Sequence, residues 1–93
     1  MDYPVLNTTE IGLRIRRLRR EQHVTVEQIA QFMGFESVQA VYKWQRGESL
    51  PTVDNLNALS RLLGTTVDYI LNGSSEESES SLLPIYGQMP LAS

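Results

Sequence analysis

Four polar side chains in the middle of the chain have the types and spacing that suit contacts with nucleic acid. They are Gln39, Tyr42, Lys43 and Arg46. At about 100° per residue they fall on one face of a predicted helix over residues 37–46. Amides and cations bond base edges and phosphates, so this face could read DNA in the major groove. Taken alone, however, a helix with one polar face is more often an ordinary solvated surface helix.

The other face of this predicted helix has the composition of a packing surface. It carries Ser37, Ala40, Val41 and Trp44. Because Trp44 shares this side with Val41, we predict that it anchors the helix in the core and does not stack on DNA.

The segment before this helix supplies the rest of a DNA-binding motif. Residues 25–33 form a predicted helix that begins with Thr25 and Gln28 at capping-box positions. Only the glycine-containing stretch 34–36 separates it from Ser37, the predicted N-cap of the next helix. Two short helices joined by such a tight turn form a helix-turn-helix, which makes DNA binding the better interpretation.

Apolar residues recur at helical spacing through the first seventy positions, without the alternation that is typical of strands. Three further helices are predicted, over about 8–22, 52–63 and 66–71, with Asn7 and Thr52 as N-caps of the first two. The residues expected in their core faces are Ile11, Ile15, Leu18, Leu56, Leu59, Leu62, Leu63, Val67, Ile70 and Leu71. The pattern predicts an all-α, compact five-helix domain over residues 8–73.

The basic residues are concentrated in the part of the chain that carries the motif. The formal net charge is −3, but seven of the eight lysines and arginines fall between positions 10 and 46, against four acids. An anionic partner is therefore compatible with this part.

The candidate DNA contacts divide into two groups. We predict base reading by Gln39, Lys43, Tyr42 and Val38. We predict phosphate contacts by Arg46, Thr25, Ser37, Arg16 and Arg20. Thr25 begins a helix whose backbone N–H groups can face an anion. Arg16, Arg17 and Arg20 project away from the apolar stripe of the first helix, which by itself favours a solvated face.

Other classes of function have little support among the residues. The chain has no cysteine, its one histidine, His23, sits in a predicted turn, and no nucleophile, metal-ligand set or phosphate-binding glycine loop is apparent. We expect no enzyme activity, no cofactor and no metal. In the absence of an export leader or a long apolar run, we expect a cytoplasmic protein without a membrane segment.

Residues 74–93 form a predicted tail. Positions 74–81 contain only serine and glutamate, which predicts a flexible linker. The apolar stretch LLPIYGQMPLAS at 82–93 could bind a protein partner in an extended form, since Pro84 and Pro90 oppose helix. The alternative is an unattached end or a truncation remnant.

Taken together, these motifs resemble the Xre/Cro family of lambda-repressor-like DNA-binding domains. The matching stretches are IGLRIRRLR, TVEQIAQFMGF, VYKWQRGESLP and LNALSRLLGTTVDYILNG, within about residues 11–73. The resemblance implies a five-helix domain that binds an often palindromic operator, commonly as a dimer. Family members often have a glutamate at the position of Gln45, which pairs with an arginine at the position of Arg19. Because glutamine is uncharged, the resemblance implies a hydrogen bond between Arg19 and Gln45 in this chain. The stretch 34–47 is one residue longer than in the shortest members.

The combined prediction is a sequence-specific transcriptional regulator, a repressor, that docks helix 37–46 in the major groove of an operator as a homodimer. The alternative is a protein-interaction module on the same fold, for example an antitoxin that binds its toxin. In that case Tyr42, Trp44 or the tail would hold the protein partner.

Overall fold

The computed structural model describes residues 5–73, which form five helices and, within that range, no strand. The helices are α1 (Thr8–Glu21), α2 (Val26–Met33), α3 (Gln39–Arg46), α4 (Val53–Leu62) and α5 (Val67–Asn72). The predicted all-α, five-helix architecture is confirmed. The predicted linker 74–81 and the apolar stretch 82–93 lie outside the described residues, so their interpretation stays a prediction.

Side-chain caps set the start of four of these helices. The capping residues are Asn7, Thr25, Thr52 and Thr66. Each accepts a hydrogen bond from the backbone N–H three residues further on, which satisfies a donor that the helix leaves unpaired. At α2 the capping box is complete, because the backbone N–H of Thr25 also donates to Gln28 Oε1 at 2.8 Å. The caps predicted at Asn7, Thr25 and Thr52 are confirmed.

Helix α3 begins two residues later than predicted. Its N-cap is Val38, which makes no side-chain cap hydrogen bond, and Ser37 lies outside the helix. The Ser37 hydroxyl accepts a long 3.4 Å bond from Gln39 N. The expected helix over residues 37–46 is therefore wrong at its start. Val38 packs against the core, so a tertiary contact fixes the entry to α3 where a local cap was expected.

A single core lies between the helices. Its most deeply buried side chains are Ile11, Ile15, Ile29, Val41, Leu59, Leu63 and Ile70. Trp44 is also buried, and its ring meets Phe35 edge-on with centroids 5.8 Å apart. The predicted role of Trp44 as a core anchor is confirmed. Leu62, Val67 and Leu71 are half-buried and pack against the margin of the core.

Helices α1 and α3 approach so closely that one position between them accepts only glycine. A Cβ built on Gly12 would lie 2.5 Å from the carbonyl oxygen of Gln45 and closer still to that of Trp44. Gly47 ends α3 in the left-handed conformation, at φ 77°, against the backbone of Thr9. The first half of α1 therefore holds the C-terminal half of α3 in place.

Polar contacts tie α5 to α1. Arg14 Nη1 donates to Ile70 O at 2.8 Å, and Arg17 Nη2 donates to the Tyr69 hydroxyl at 2.5 Å. Both guanidinium groups also lie against the Tyr69 ring, 5.9 and 5.8 Å from its centroid. Arg17, expected on a solvated face, thus has a structural role.

Candidate nucleic-acid interface

The four polar residues that the sequence singled out on α3 are all exposed. They are Gln39, Tyr42, Lys43 and Arg46. Their opposite neighbours Val41 and Trp44 are buried, which fixes the rotation of the helix. Tyr42 keeps 40% of its surface accessible although it is aromatic. The packing of residues 5–73 thus presents one continuous polar face, which we call the α3 outer face.

A cleft of about 410 Å³ adjoins the α3 outer face, between α1 and α3. Its lining residues are Arg16, Arg19, Arg20, Val26, Tyr42, Gln45 and Arg46. None of these residues is acidic, so the cleft suits an anion. Arg16, Arg20 and Arg46 were predicted separately as phosphate contacts, and the structure brings them to one concave surface, the arginine cleft.

Arg19 lines the arginine cleft, and hydrogen bonds hold its side chain in place. Its Nε donates to Gln45 Oε1 at 2.9 Å, and its Nη1 donates to Val24 O at 2.9 Å. The predicted hydrogen bond between Arg19 and Gln45 is therefore confirmed. Because it joins α1 to α3, this bond helps to fix the α3 outer face relative to the arginines of α1.

Two candidate contacts lie just before α3. Val38 is half-buried and packs against the core, so it offers less surface to a partner than Gln39 does. Ser37 is exposed at the end of the turn. The base contact of Val38 and the phosphate contact of Ser37 stay predictions.

Thr25 marks the exposed N-terminus of α2. Its hydroxyl oxygen accepts a hydrogen bond from Gln28 N at 3.0 Å, so the capping role is confirmed. The positive end of the helix dipole lies at the same place and favours an anion. Its contact with a phosphate stays a prediction.

Glu48 is a charged neighbour of the site that the sequence analysis missed. Arg46 Nε donates to Glu48 Oε2 at 2.6 Å, and Arg46 Nη2 donates to Oε1 at 3.3 Å. The hydrogen bonds from Arg46 lower the pKa of Glu48, and the positive charges of Arg46 and Lys43 lower it further. The same hydrogen bonds raise the pKa of Arg46. The sequence did contain a signal for this contact, because Glu48 directly follows Gly47. A left-handed glycine at the end of a helix turns the chain back, which brings the next residue close to the last turn.

Little else among the described residues suggests chemistry. No group of three or more metal-ligating side chains occurs in residues 5–73. His23 is an exposed turn residue, as predicted, and its backbone adopts φ 59°. No helix in this range has the length and apolar character needed to cross a membrane. The α3 outer face and the arginine cleft together are the candidate site.

Known proteins share both the motif and the sequence around it. A family model described as helix-turn-helix matches residues 15–70. The chain is 33% identical over 73 residues to repressor protein C2 of Salmonella phage P22, covering 78% of this chain and 33% of that protein. It is 37% identical over 67 residues to the HTH-type transcriptional regulator DicA of Escherichia coli (strain K12), covering 72% and 49%. A third relative is the HTH-type transcriptional activator BcrR of Enterococcus faecalis, 29% identical over 83 residues, covering 83% and 40%. The chain thus spans between a third and a half of the length of these relatives.

Solved structures show the same fold. The P22 c2 repressor in complex with a synthetic operator has a TM-score of 0.64 and 34% identity, covering 69% of this chain and 96% of that one. The solution structure of the P22 c2 DNA-binding domain has a TM-score of 0.63 and 32% identity, covering 75% and 92%. The clp gene regulator ClgR of C. glutamicum shares the fold at 19% identity and a TM-score of 0.61, covering 89% and 100%.

Proposed function

This chain belongs to the helix-turn-helix family, in its Xre/lambda-repressor-like group, and we propose that it is a sequence-specific DNA-binding transcriptional regulator. The observation that carries the proposal is the position of the α3 outer face directly beside the arginine cleft. A DNA groove presents base edges between two rows of phosphates. This surface offers groups for both kinds of contact side by side. The operator-bound repressor among the similar structures supports the same conclusion.

Gln39 and Lys43 are the proposed base-reading residues. They lie four residues apart on the α3 outer face, about one helical turn, so they can address neighbouring base pairs. A glutamine amide can bond N6 and N7 of adenine, and a lysine ammonium can bond O6 and N7 of guanine. Half-buried Val38, just before α3, can offer a small apolar surface to a thymine methyl group.

Arg46, Arg16 and Arg20 are the proposed phosphate contacts, because all three line the arginine cleft. Tyr42 lines the same cleft, and its hydroxyl can donate to a phosphate oxygen. We therefore propose a phosphate contact for Tyr42 beside the predicted base contact, which stays a prediction.

The starts of the two motif helices supply further proposed phosphate contacts. Ser37 and the exposed N-terminus of α2 at Thr25 can donate hydroxyl and backbone N–H groups. These contacts would fix the angle at which α3 enters the groove, since phosphate contacts set orientation and carry no sequence information.

We further propose that the protein acts as a homodimer on a two-fold symmetric operator and represses transcription in the cytoplasm. The relatives named above include both a repressor and an activator. Repression is therefore a separate part of the proposal, which activation of the target promoter by this protein would contradict.

Selection of bound sites from a pool of random duplexes tests this function. The full chain should enrich one sequence, with two-fold symmetry if it binds as a dimer. Gln39→Ala should change the enriched bases, whereas Gln31→Ala, which alters an exposed α2 residue beside a different cleft, should not. If the parent chain enriches no sequence, the proposal is wrong and the protein-interaction alternative is favoured.

A further inference from the structure

Glu48 is a carboxylate at the edge of a surface proposed to bind anions. It lies two residues beyond Arg46, and 52% of its side chain is exposed. Next to DNA its charge would repel the phosphates, which weakens binding. Its presence at this place therefore needs a physical explanation.

The end of α3 fixes the position of Glu48 but does not favour its charge. Gly47 adopts φ 77°, and Glu48 N donates to Lys43 O at 2.9 Å, which closes the helix end. The C-terminal end of a helix dipole disfavours a negative side chain. Helix-end electrostatics therefore give no reason for a glutamate here.

The carboxylate of Glu48 occupies donors that Arg46 would offer to a phosphate. Nε and Nη2 of Arg46 each address one carboxylate oxygen, at 2.6 and 3.3 Å, which is the paired geometry in which a guanidinium also holds phosphate. The positive charge of Lys43 acts on the same carboxylate. In the free protein, this carboxylate thus partly neutralises Arg46, one of the two cations of the α3 outer face.

We propose that Glu48 competes with phosphate for Arg46 and so limits the sequence-independent affinity of the protein for DNA. This inference rests on the proposed function. A phosphate that binds Arg46 must displace the carboxylate or share the guanidinium with it, so Arg46 adds less to phosphate binding than an unpaired arginine would. Binding to unrelated DNA depends on phosphate contacts, whereas binding to an operator also has base contacts. Glu48 therefore raises the share of the affinity that comes from base reading.

Glu48→Gln tests the proposal, because glutamine keeps the shape of the side chain and removes its charge. Asp68→Asn is the matched control, since it removes one negative charge from an exposed position on α5, which packs against α1 and α4. The full parent chain and both variants are titrated with a short duplex of mixed sequence at salt concentrations between about 50 and 200 mM. Thermal melting of each protein checks that the fold is unchanged.

We expect Glu48→Gln to bind the mixed-sequence duplex several-fold more tightly than the parent at low salt. The slope of log affinity against log salt concentration should be steeper for Glu48→Gln than for the parent, by up to about 0.9. The ratio of the two affinities should therefore fall by roughly threefold between about 50 and 200 mM salt. Asp68→Asn should stay close to the parent.

Two results would overturn the inference while leaving the proposed function intact. One is an equal affinity of Glu48→Gln and Asp68→Asn for the duplex. The other is weaker binding by Glu48→Gln, because Glu48 would then orient Arg46 towards a phosphate instead of competing for it. A parent chain that binds no duplex at any salt concentration would overturn the proposed function together with this inference.

Discussion

The two faces of α3 serve different purposes, although they belong to one short helix. The inner face carries Val41 and Trp44, which are buried in the core. The outer face carries Gln39 and Lys43, which are exposed. Changes on the inner face should alter the free energy of unfolding, and changes on the outer face should alter DNA binding. The rigid packing of one face allows the other to be presented at a defined angle.

The largest expected effect is that of Trp44→Ala on the inner face. Truncation of a buried tryptophan destabilises a protein by roughly 3–5 kcal/mol, which approaches the whole stability of a small domain. Thermal melting measures the loss, with Tyr42→Ala on the outer face as the control. A melting midpoint close to that of the parent would show that Trp44 does not anchor α3.

Gly12→Ala should also destabilise the fold, by roughly 1–3 kcal/mol. The added methyl group would meet the backbone carbonyl groups of Trp44 and Gln45, so α1 and α3 would have to move apart. Without this clash, alanine would stabilise the helix relative to glycine by roughly 0.5–1 kcal/mol. The sign of the change in the free energy of unfolding therefore shows whether the clash occurs. Urea unfolding gives this sign, and a more stable variant would contradict the close approach of the two helices.

Gln39→Ala and Lys43→Ala test the outer face. Each should lose roughly 1–3 kcal/mol of discrimination at particular operator positions, because one base contact is removed. Both sites are exposed, so the free energy of unfolding should change by less than about 0.5 kcal/mol. Titration against the selected operator, its single-base variants and unrelated DNA measures the discrimination. An unchanged ratio of specific to nonspecific affinity in both variants would show that α3 is not the reader.

Arg46→Ala should weaken binding to all duplexes alike and flatten the salt slope, by less than the roughly one unit expected of an unpaired arginine, because Glu48 competes for its guanidinium group. The reason is the loss of a phosphate contact that carries no sequence information. Arg61→Ala, at an exposed position of α4, is the matched control for the loss of one positive charge. A loss restricted to particular base pairs would place Arg46 among the base-reading residues instead.

The smallest effect is expected from removal of residues 74–93, which should matter to neither face of α3. The five helices and their core lie within residues 5–73, so the helical signal in circular dichroism and most of the intrinsic DNA affinity should remain. Sedimentation of the shortened chain shows whether dimerisation is lost. A collapse of the helical signal would show that Leu82, Leu83 or Ile85 completes the core.

The sequence alone was sufficient wherever the interacting groups are close along the chain or follow a helical period. The capping box of α2 joins Thr25 to Gln28, only three residues away, so its start was predictable. The two faces of α3 follow from a period of 3.6 residues, which places Trp44 opposite the polar side chains. The bond between Arg19 and Gln45 spans 26 positions, and it was predictable only through the resemblance to a family.

Tertiary structure decided the features that depend on distances between elements or on one backbone angle. Val38 took the place of Ser37 at the start of α3 because packing against the core replaced a local cap. The arginine cleft lies between α1 and α3, which meet closely at Gly12, and no periodic pattern in the sequence predicts the distance between two helices. The left-handed Gly47 brings Glu48 to Arg46 across the end of a helix. The residue types determine which contacts would be favourable, but only the folded chain determines which of these residues lie close enough to make contact.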